Sequence, residues 1–327
     1  MRLDLKDRQL IYELDFVARM PLTKIARKLR ISKQVAKYRL ERLQKEGIIQ
    51  GFYTDINATA LGLQIYLVYL KFQHMIPLIE REFIQNMGDS EHVGVNVGIT
   101  GRWDHCIGIW AKSPLTFKAA YEQVMQSYER YIKEKTVMIE TAFYYCKPRQ
   151  IFAGKDEPEI VMQGYEIPFS MDGESYKILS LLAGNARISL VDLAQKIPLS
   201  PAAIGKRISD LEKKRIILAY RVMIDYSLLD YYHYRVFFHL ENMTKKFERM
   251  MIQFLKEQRQ VVSVTQTIGY CDLECRIIVH DIKEYADFLS KVRFFFKDSL
   301  KEHEAILYTK FHHQLNYFPH DKNLNSP

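Results

Sequence analysis

The chain has 327 residues, 48% of them apolar and 26% charged, with a net charge of +8. That is ordinary for a water-soluble globular protein with room for two or more domains, and it excludes a disordered or collagen-like chain. No apolar run approaches the roughly 20 residues of a membrane span, the N-terminus lacks the pattern of a secretion signal, and Cys106, Cys146, Cys271 and Cys275 show no CxxC spacing, so a cytoplasmic protein with reduced thiols and no membrane partner is expected.

The first elements are helical. Asp4 precedes Leu10, Ile11, Leu14 and Val17 at helical spacing, and a second short helix is predicted over 22–29. Ser32 suits the N-cap of a third, with Val35, Ala36, Leu40 and Leu43 inward and Gly47 as its stop. The β-type run "IIQGFYTDI" follows as a wing. Three short helices, a tight turn and a β wing make a winged helix-turn-helix, placed at 1–58. From 62 to 147 the types alternate: strand "LQIYLVYLKF", helix from Pro77, strands "HVGVNVGI" and "DHCIGIWA", helix from Pro114, strand "TVMIETAFYY". That βαββαβ order is the ferredoxin-like split unit.

The pattern then returns. Arg19 and Arg187, Ala26 and Ala194, Ser32 and Ser200, Arg39 and Arg207, Leu43 and Leu211, Gly101 and Gly269, and Asp104 and Asp272 all stand 168 positions apart. A register held without gaps over about 140 residues means two copies of one module, not a solenoid of ~20–50-residue repeats. A proline-bearing linker is expected over 148–170, a second helix-turn-helix over 171–226, a second ferredoxin-like domain over 230–313, and a frayed tail over 314–327. The fold class is α+β.

DNA reading needs long polar side chains on the exposed N-terminal half of the third helix, with basic groups beside them for phosphates. Copy one offers Ser32, Lys33, Gln34, Lys37 and Tyr38, with Arg39 and Arg42 at the phosphate backbone. Gln can pair with adenine and Lys with guanine. Copy two has Pro201, Ala202 and Gly205 at matching positions, leaving Lys206 and Arg207. Residues 1–60 hold 13 Lys/Arg against 7 Asp/Glu, while 169–228 hold 9 against 6. Double-stranded DNA is the expected partner, with copy one as main reader and copy two a weak, phosphate-directed binder or an interaction surface.

"LDLKDRQLIYEL", "KIARKLRISKQVAKYRLERLQKEGIIQGF", "ATALG" and the "TGRWD" turn together resemble the Lrp/AsnC family of transcriptional regulators, in a tandem form with two regulators in one polypeptide. The resemblance implies ligand-sensing (RAM-type) ferredoxin-like domains whose uncovered sheet faces pair, either as an internal pseudo-dimer or in a homo-oligomer. It also implies an amino-acid or other small-molecule effector near the G-x-x-D turns, at Gly101, Trp103, Asp104, Gly269, Asp272 and Glu274. A plain β-turn accounts for the glycines and aspartates too, and an ion pair within the sheet accounts for Glu274 and Arg276. Copy two departs from the pattern: Gly47 becomes Arg215, Leu61-Gly62 becomes Leu229-Asp230, and Trp103 becomes Cys271, which puts its left-handed stop and wing in question. Sirohaem decarboxylases resemble the same architecture, with His92 and His105 as the nearest histidines here but at the wrong spacing; a protein-interaction adaptor is a further alternative. No catalytic motif, metal site or cofactor is expected.

Overall fold

Asp4 opens the first helix. Its carboxylate accepts the Asp7 N–H at 2.8 Å, and the Asp7 carboxylate accepts the Asp4 N–H at 3.2 Å, satisfying two donors that a helix start leaves unpaired. The structure, a computed structural model, describes residues 3–152, 160–163 and 168–313. Helix α1 (Leu5–Leu14) is followed by α2 (Leu22–Leu29) and α3 (Lys33–Lys45). Arg30 turns left-handed between α2 and α3 (φ 54°), and the Ser32 hydroxyl accepts the Val35 N–H at 3.1 Å. Copy two repeats this with α6 (Gly173–Gly184), α7 (Leu190–Lys196) and α8 (Pro201–Lys213), capped by Asp172, Ser189 and Ser200.

One expectation needs correction, and the wings have a partner that the sequence does not mark. Val35 and Val17 do not point inward but are exposed, because the buried stripe of α3 runs through Ala36, Leu40 and Leu43, and Val17 lies past the end of α1. The wing strands β1 (Ile49–Ile56) and β7 (Ile217–Ile224) form no hairpin of their own. They pair antiparallel with each other across the two copies, with Tyr53 opposite Arg221. One apolar core therefore serves both helix-turn-helix modules, with Leu10, Leu14, Leu43 and Ile48 packed among Ile178, Leu182, Ile204 and Ile216.

The second part of each copy has the expected order. Copy one has β2 (Gln64–Phe72), α4 (Pro77–Asp89), β3 (Val93–Gly101), β4 (His105–Ala111), α5 (Pro114–Met125) and β5 (Ile132–Tyr145). In the linker, β6 (Ile160–Gln163) pairs with β5. Copy two has β8 (Tyr232–Leu240), α9 (Lys245–Glu257), β9 (Val261–Gly269), β10 (Leu273–Val279), α10 (Ile282–Phe296) and β11 (Leu300–His313). The predicted tail, 314–327, lies outside the described residues.

The two four-stranded sheets share their last strands. The first half of β5 pairs with β2, and its second half crosses to β9; β11 pairs with β8 and then crosses to β3. The order β2-β4-β3-β11-β8-β10-β9-β5 closes on itself through the β2–β5 pairing, so the ring has no free edge among these strands. The crossings are related by the same offset of 168: Met138 faces Gly269, and Ile306 faces Gly101. Inside the ring, Leu67, Tyr69, Val97, Trp103 and Cys106 meet Phe237, Cys271 and Ile306. Outside it, α4 and α5 cover Val68, Leu70, Ile107 and Ile109, while α9 and α10 cover Val236, Phe238, Cys275 and Ile277. This is the alternation of faces that a strand's two-residue period imposes on β4 and β10. No described helix is long and apolar enough to cross a membrane.

Candidate nucleic-acid interface and effector region

Burial of Ala36, Leu40 and Leu43 fixes the rotation of α3 and turns Lys33, Gln34, Lys37 and Tyr38 to solvent. Tyr38 is 66% exposed, far more than a core tyrosine. Lys37 has only an exposed partner, Glu41, at 3.6 Å, a contact that water screens. Four long polar side chains thus stand on one exposed face at the start of a helix.

Arg39, Arg42 and Arg207, expected at the phosphate backbone, are engaged within their own modules. Arg39 donates to Asp4 at 2.7 Å and to Asp7 at 2.8 Å, and Arg42 donates to Asp7 at 2.6 Å. Bonding to Asp4 raises the Arg39 pKa; at the Asp4 carboxyl burial is the largest single effect and acts upward, but the Arg39 bond and charge and the Asp7 and Lys6 N–H groups together lower it. Arg207 donates to Asp172 at 2.5 Å and to Ser175 Oγ at 2.8 Å. These arginines tie the first helix to the third and aim α3 and α8. On α8, Pro201, Ala202 and Lys206 are exposed, and Gly205 faces Leu190, whose Cδ1 would lie 3.3 Å from an added Cβ. Lys206 is the one long polar side chain that this face retains.

In the G-x-x-D turns the aspartates hold the chain. Asp104 accepts the Phe72 N–H at 2.8 Å and Lys71 Nζ at 2.7 Å; Asp272 accepts the Leu240 N–H at 2.7 Å, the equivalent position. The glycines serve the strand crossings. A Cβ on Gly101 (φ 128°) would lie 3.0 Å from the Ala305 carbonyl oxygen, and one on Gly269 (φ 112°) 2.6 Å from that of Val137. Trp103 is buried in the ring against Tyr69 and Tyr270. Glu274 pairs with Arg235 on the neighbouring strand at 3.2 Å, while Arg276 donates to Ser263 at 2.9 Å. Sequence reasoning misses Arg235, whose one mark is a charge in the middle of the apolar run "YRVFFHL".

His105 Nε2 bonds Asn96 at 2.7 Å beneath the helices, and His92 meets Gln123 at 3.3 Å at the surface, so the two histidines face different surroundings. No group of three or more metal-ligating side chains occurs among the described residues.

Comparison with known proteins agrees with this architecture. A family profile described as winged helix-turn-helix DNA-binding matches residues 3–50 and again 174–217. An uncharacterized HTH-type transcriptional regulator of Pyrococcus furiosus is 29% identical over 133 residues, 40% of this chain and 84% of that one. The Bkd operon transcriptional regulator of Pseudomonas aeruginosa is 31% identical over 121 residues, 37% of this chain and 79% of that one. The crystal structure of the siroheme decarboxylase NirDL superposes with a TM-score of 0.59 over 98% of this chain and 96% of that one, at 11% identity, a likeness of fold. The relatives that share sequence are regulators, and two of their helix-turn-helix units recur here in one ring-closed chain: it belongs to the Lrp/AsnC family of transcriptional regulators, in tandem form.

Proposed function

We propose that the chain regulates transcription by sequence-specific DNA binding, with α3 as its main reader and α8 as a weak, phosphate-directed contact. The observation that carries this reading is the contrast between the exposed Lys33, Gln34, Lys37 and Tyr38 on α3 and the Pro201, Ala202 and Gly205 surface of α8. Small side chains cannot reach base edges, whereas Gln and Lys match adenine and guanine in the major groove. Under this reading Ser32 caps the reading helix, Lys206 contacts phosphate, and Arg39, Arg42 and Arg207 act chiefly by fixing helix angles. An amino-acid effector would bind at the G-x-x-D turns through backbone groups, since the carboxylates of Asp104 and Asp272 already accept main-chain N–H groups.

The test is binding to the chain's own promoter fragment, titrated across salt. Wild type should bind with a steep slope of log affinity on log salt, roughly −0.9 per neutralised phosphate. Lys33→Ala/Lys37→Ala should weaken binding at least about tenfold and make the slope shallower by about two. Placing the copy-one residues at 201–206 should tighten binding. Affinity unchanged by both variants would move the reading surface away from α3.

A further inference from the structure

The offset of 168 gives every position of one copy a counterpart in the other, related by a pseudo-twofold axis. Several contacts obey it. The Ala18 N–H donates to the Tyr220 carbonyl at 2.9 Å, and the Ala186 N–H to that of Phe52 at 3.0 Å. Asn57 N–H to Ile216 O, at 2.8 Å, is matched by Asp225 N–H to Ile48 O at 3.0 Å. Arg19 sits over the Tyr220 ring, and Arg187 over that of Phe52. The backbone frame of the pair is symmetric.

The buried charges are not. Arg221, of copy two, lies on the axis opposite its own counterpart, Tyr53. It holds Asp15 of copy one at 2.6 and 3.1 Å and Asp55 of copy one at 3.2 Å. The counterparts of those aspartates are Ala183 and Met223. Deeper in the ring, Arg235 of copy two pairs with Glu274, bonds the Tyr69 hydroxyl and approaches Glu140 of copy one at 3.9 Å. The counterparts of Arg235, Glu274, Tyr69 and Glu140 are Leu67, Cys106, Phe237 and Tyr308. In each cluster a buried arginine of copy two faces copy one, Arg221 meeting Asp15 and Asp55, and Arg235 meeting Glu140 beyond the Glu274 of its own copy, and neither cluster is repeated across the axis.

We propose that these two clusters are a pairing code, which makes copy one the mate of copy two and bars each from closing on a second copy of its own kind. Through the same surfaces, two copies one would set Tyr53 against Tyr53 and bury Asp15, Asp55 and Glu140 twice over with no arginine. Two copies two would set Arg221 against Arg221, with Ala183 and Met223 where the aspartates stand. A buried charge deprived of its partner is strongly destabilising, while the main-chain pairing would form equally well in all three combinations, so the charges decide. The excluded partner is any like copy of this fold, on a second molecule of this chain or on a related one.

The experiment begins from the folded full-length chain carrying a protease site within 164–167, cleaved under native conditions at pH 8. Differently tagged nicked particles are mixed, warmed to allow exchange and weighed by native mass spectrometry. Wild type should yield mixed pairs, with like pairs below about a tenth of the total. Replacing the axial cluster by its own counterparts (Asp15→Ala, Asp55→Met, Arg221→Tyr) should let like pairs rise toward their statistical share. A second variant does the same in the ring: Glu140→Tyr, Arg235→Leu, Glu274→Cys. Like pairs at their statistical share in wild type would overturn the code, as would strictly mixed pairing in a folded variant that combines both sets. The wild-type arm decides even if a variant fails to fold.

Discussion

Arg215 occupies a left-handed conformation (φ 57°) at the position where copy one has Gly47 (φ 77°), and Asp230 (φ 60°) does the same for Gly62 (φ 78°). The sequence put this geometry in question for copy two, and the structure keeps it. The reason is magnitude: a left-handed L-residue costs roughly 1–2 kcal/mol, which the buried Ile216 just beyond and its N–H bond to Leu211 O at 3.0 Å outweigh. Arg215→Gly should therefore stabilise the chain, by about 0.5–1 kcal/mol in urea unfolding once the added freedom of the unfolded glycine is counted. The opposite holds at Gly269. There an alanine Cβ would lie 2.6 Å from a carbonyl oxygen at a strand crossing, so Gly269→Ala should cost at least about 2 kcal/mol in the same assay. Gly101 and Gly269 were legible as special, but not what approaches them, because the neighbouring strand comes from the other copy.

Elements were the most readable level. Helix α2 and the N-cap of α3 fall where periodicity and capping chemistry placed them, since both signals are local. The partner of β1 was not readable, because strand pairing depends on residues 161 to 175 positions away that carry no local mark. Between α1 and α3 the connection is ionic. Asp7, 1% exposed, caps α1 and accepts from both Arg39 and Arg42. Its counterpart in copy two is Ser175, which accepts from Arg207 alone, Asp210 standing where Arg42 would be. Asp7→Ala should destabilise the chain by about 2–3 kcal/mol, with Arg39 and Arg42, 20% and 34% exposed, partly relieved by water, and should weaken DNA binding by loosening α3. Ser175→Ala should cost about 1 kcal/mol or less. Thermal melts of the two variants side by side check the inequality.

At the scale of the molecule, the ring encloses charge. Burial, and then the neighbouring Glu274, push the Glu140 carboxyl up to about 7 against Arg235 and Arg276, from an ordinary value of 4.5. The folded chain thus holds a proton between about pH 4.5 and 7 that the unfolded chain releases, so this group makes stability fall as pH rises through that window. Burial raises Asp55 to about 6, which acts in the same direction. Glu140→Gln should flatten the fall of Tm between pH 5 and 7 and leave the variant about 2 kcal/mol more stable than wild type at pH 8. A Tm profile parallel to that of wild type would show that Glu140 is ionised throughout. The duplication was legible from a constant register, but its closure was not, because nothing in the run of β5 marks where it leaves β2 for β9. That crossing also bears on synthesis. The second half of β5 emerges from the ribosome more than a hundred residues before Val261 begins β9. Until then, a nascent chain displays an open strand edge that a neighbouring ribosome's product on the same message could capture. Copy-one segments meeting in that interval would be alike, so a rule against like pairs protects the newborn chain as well as the finished one.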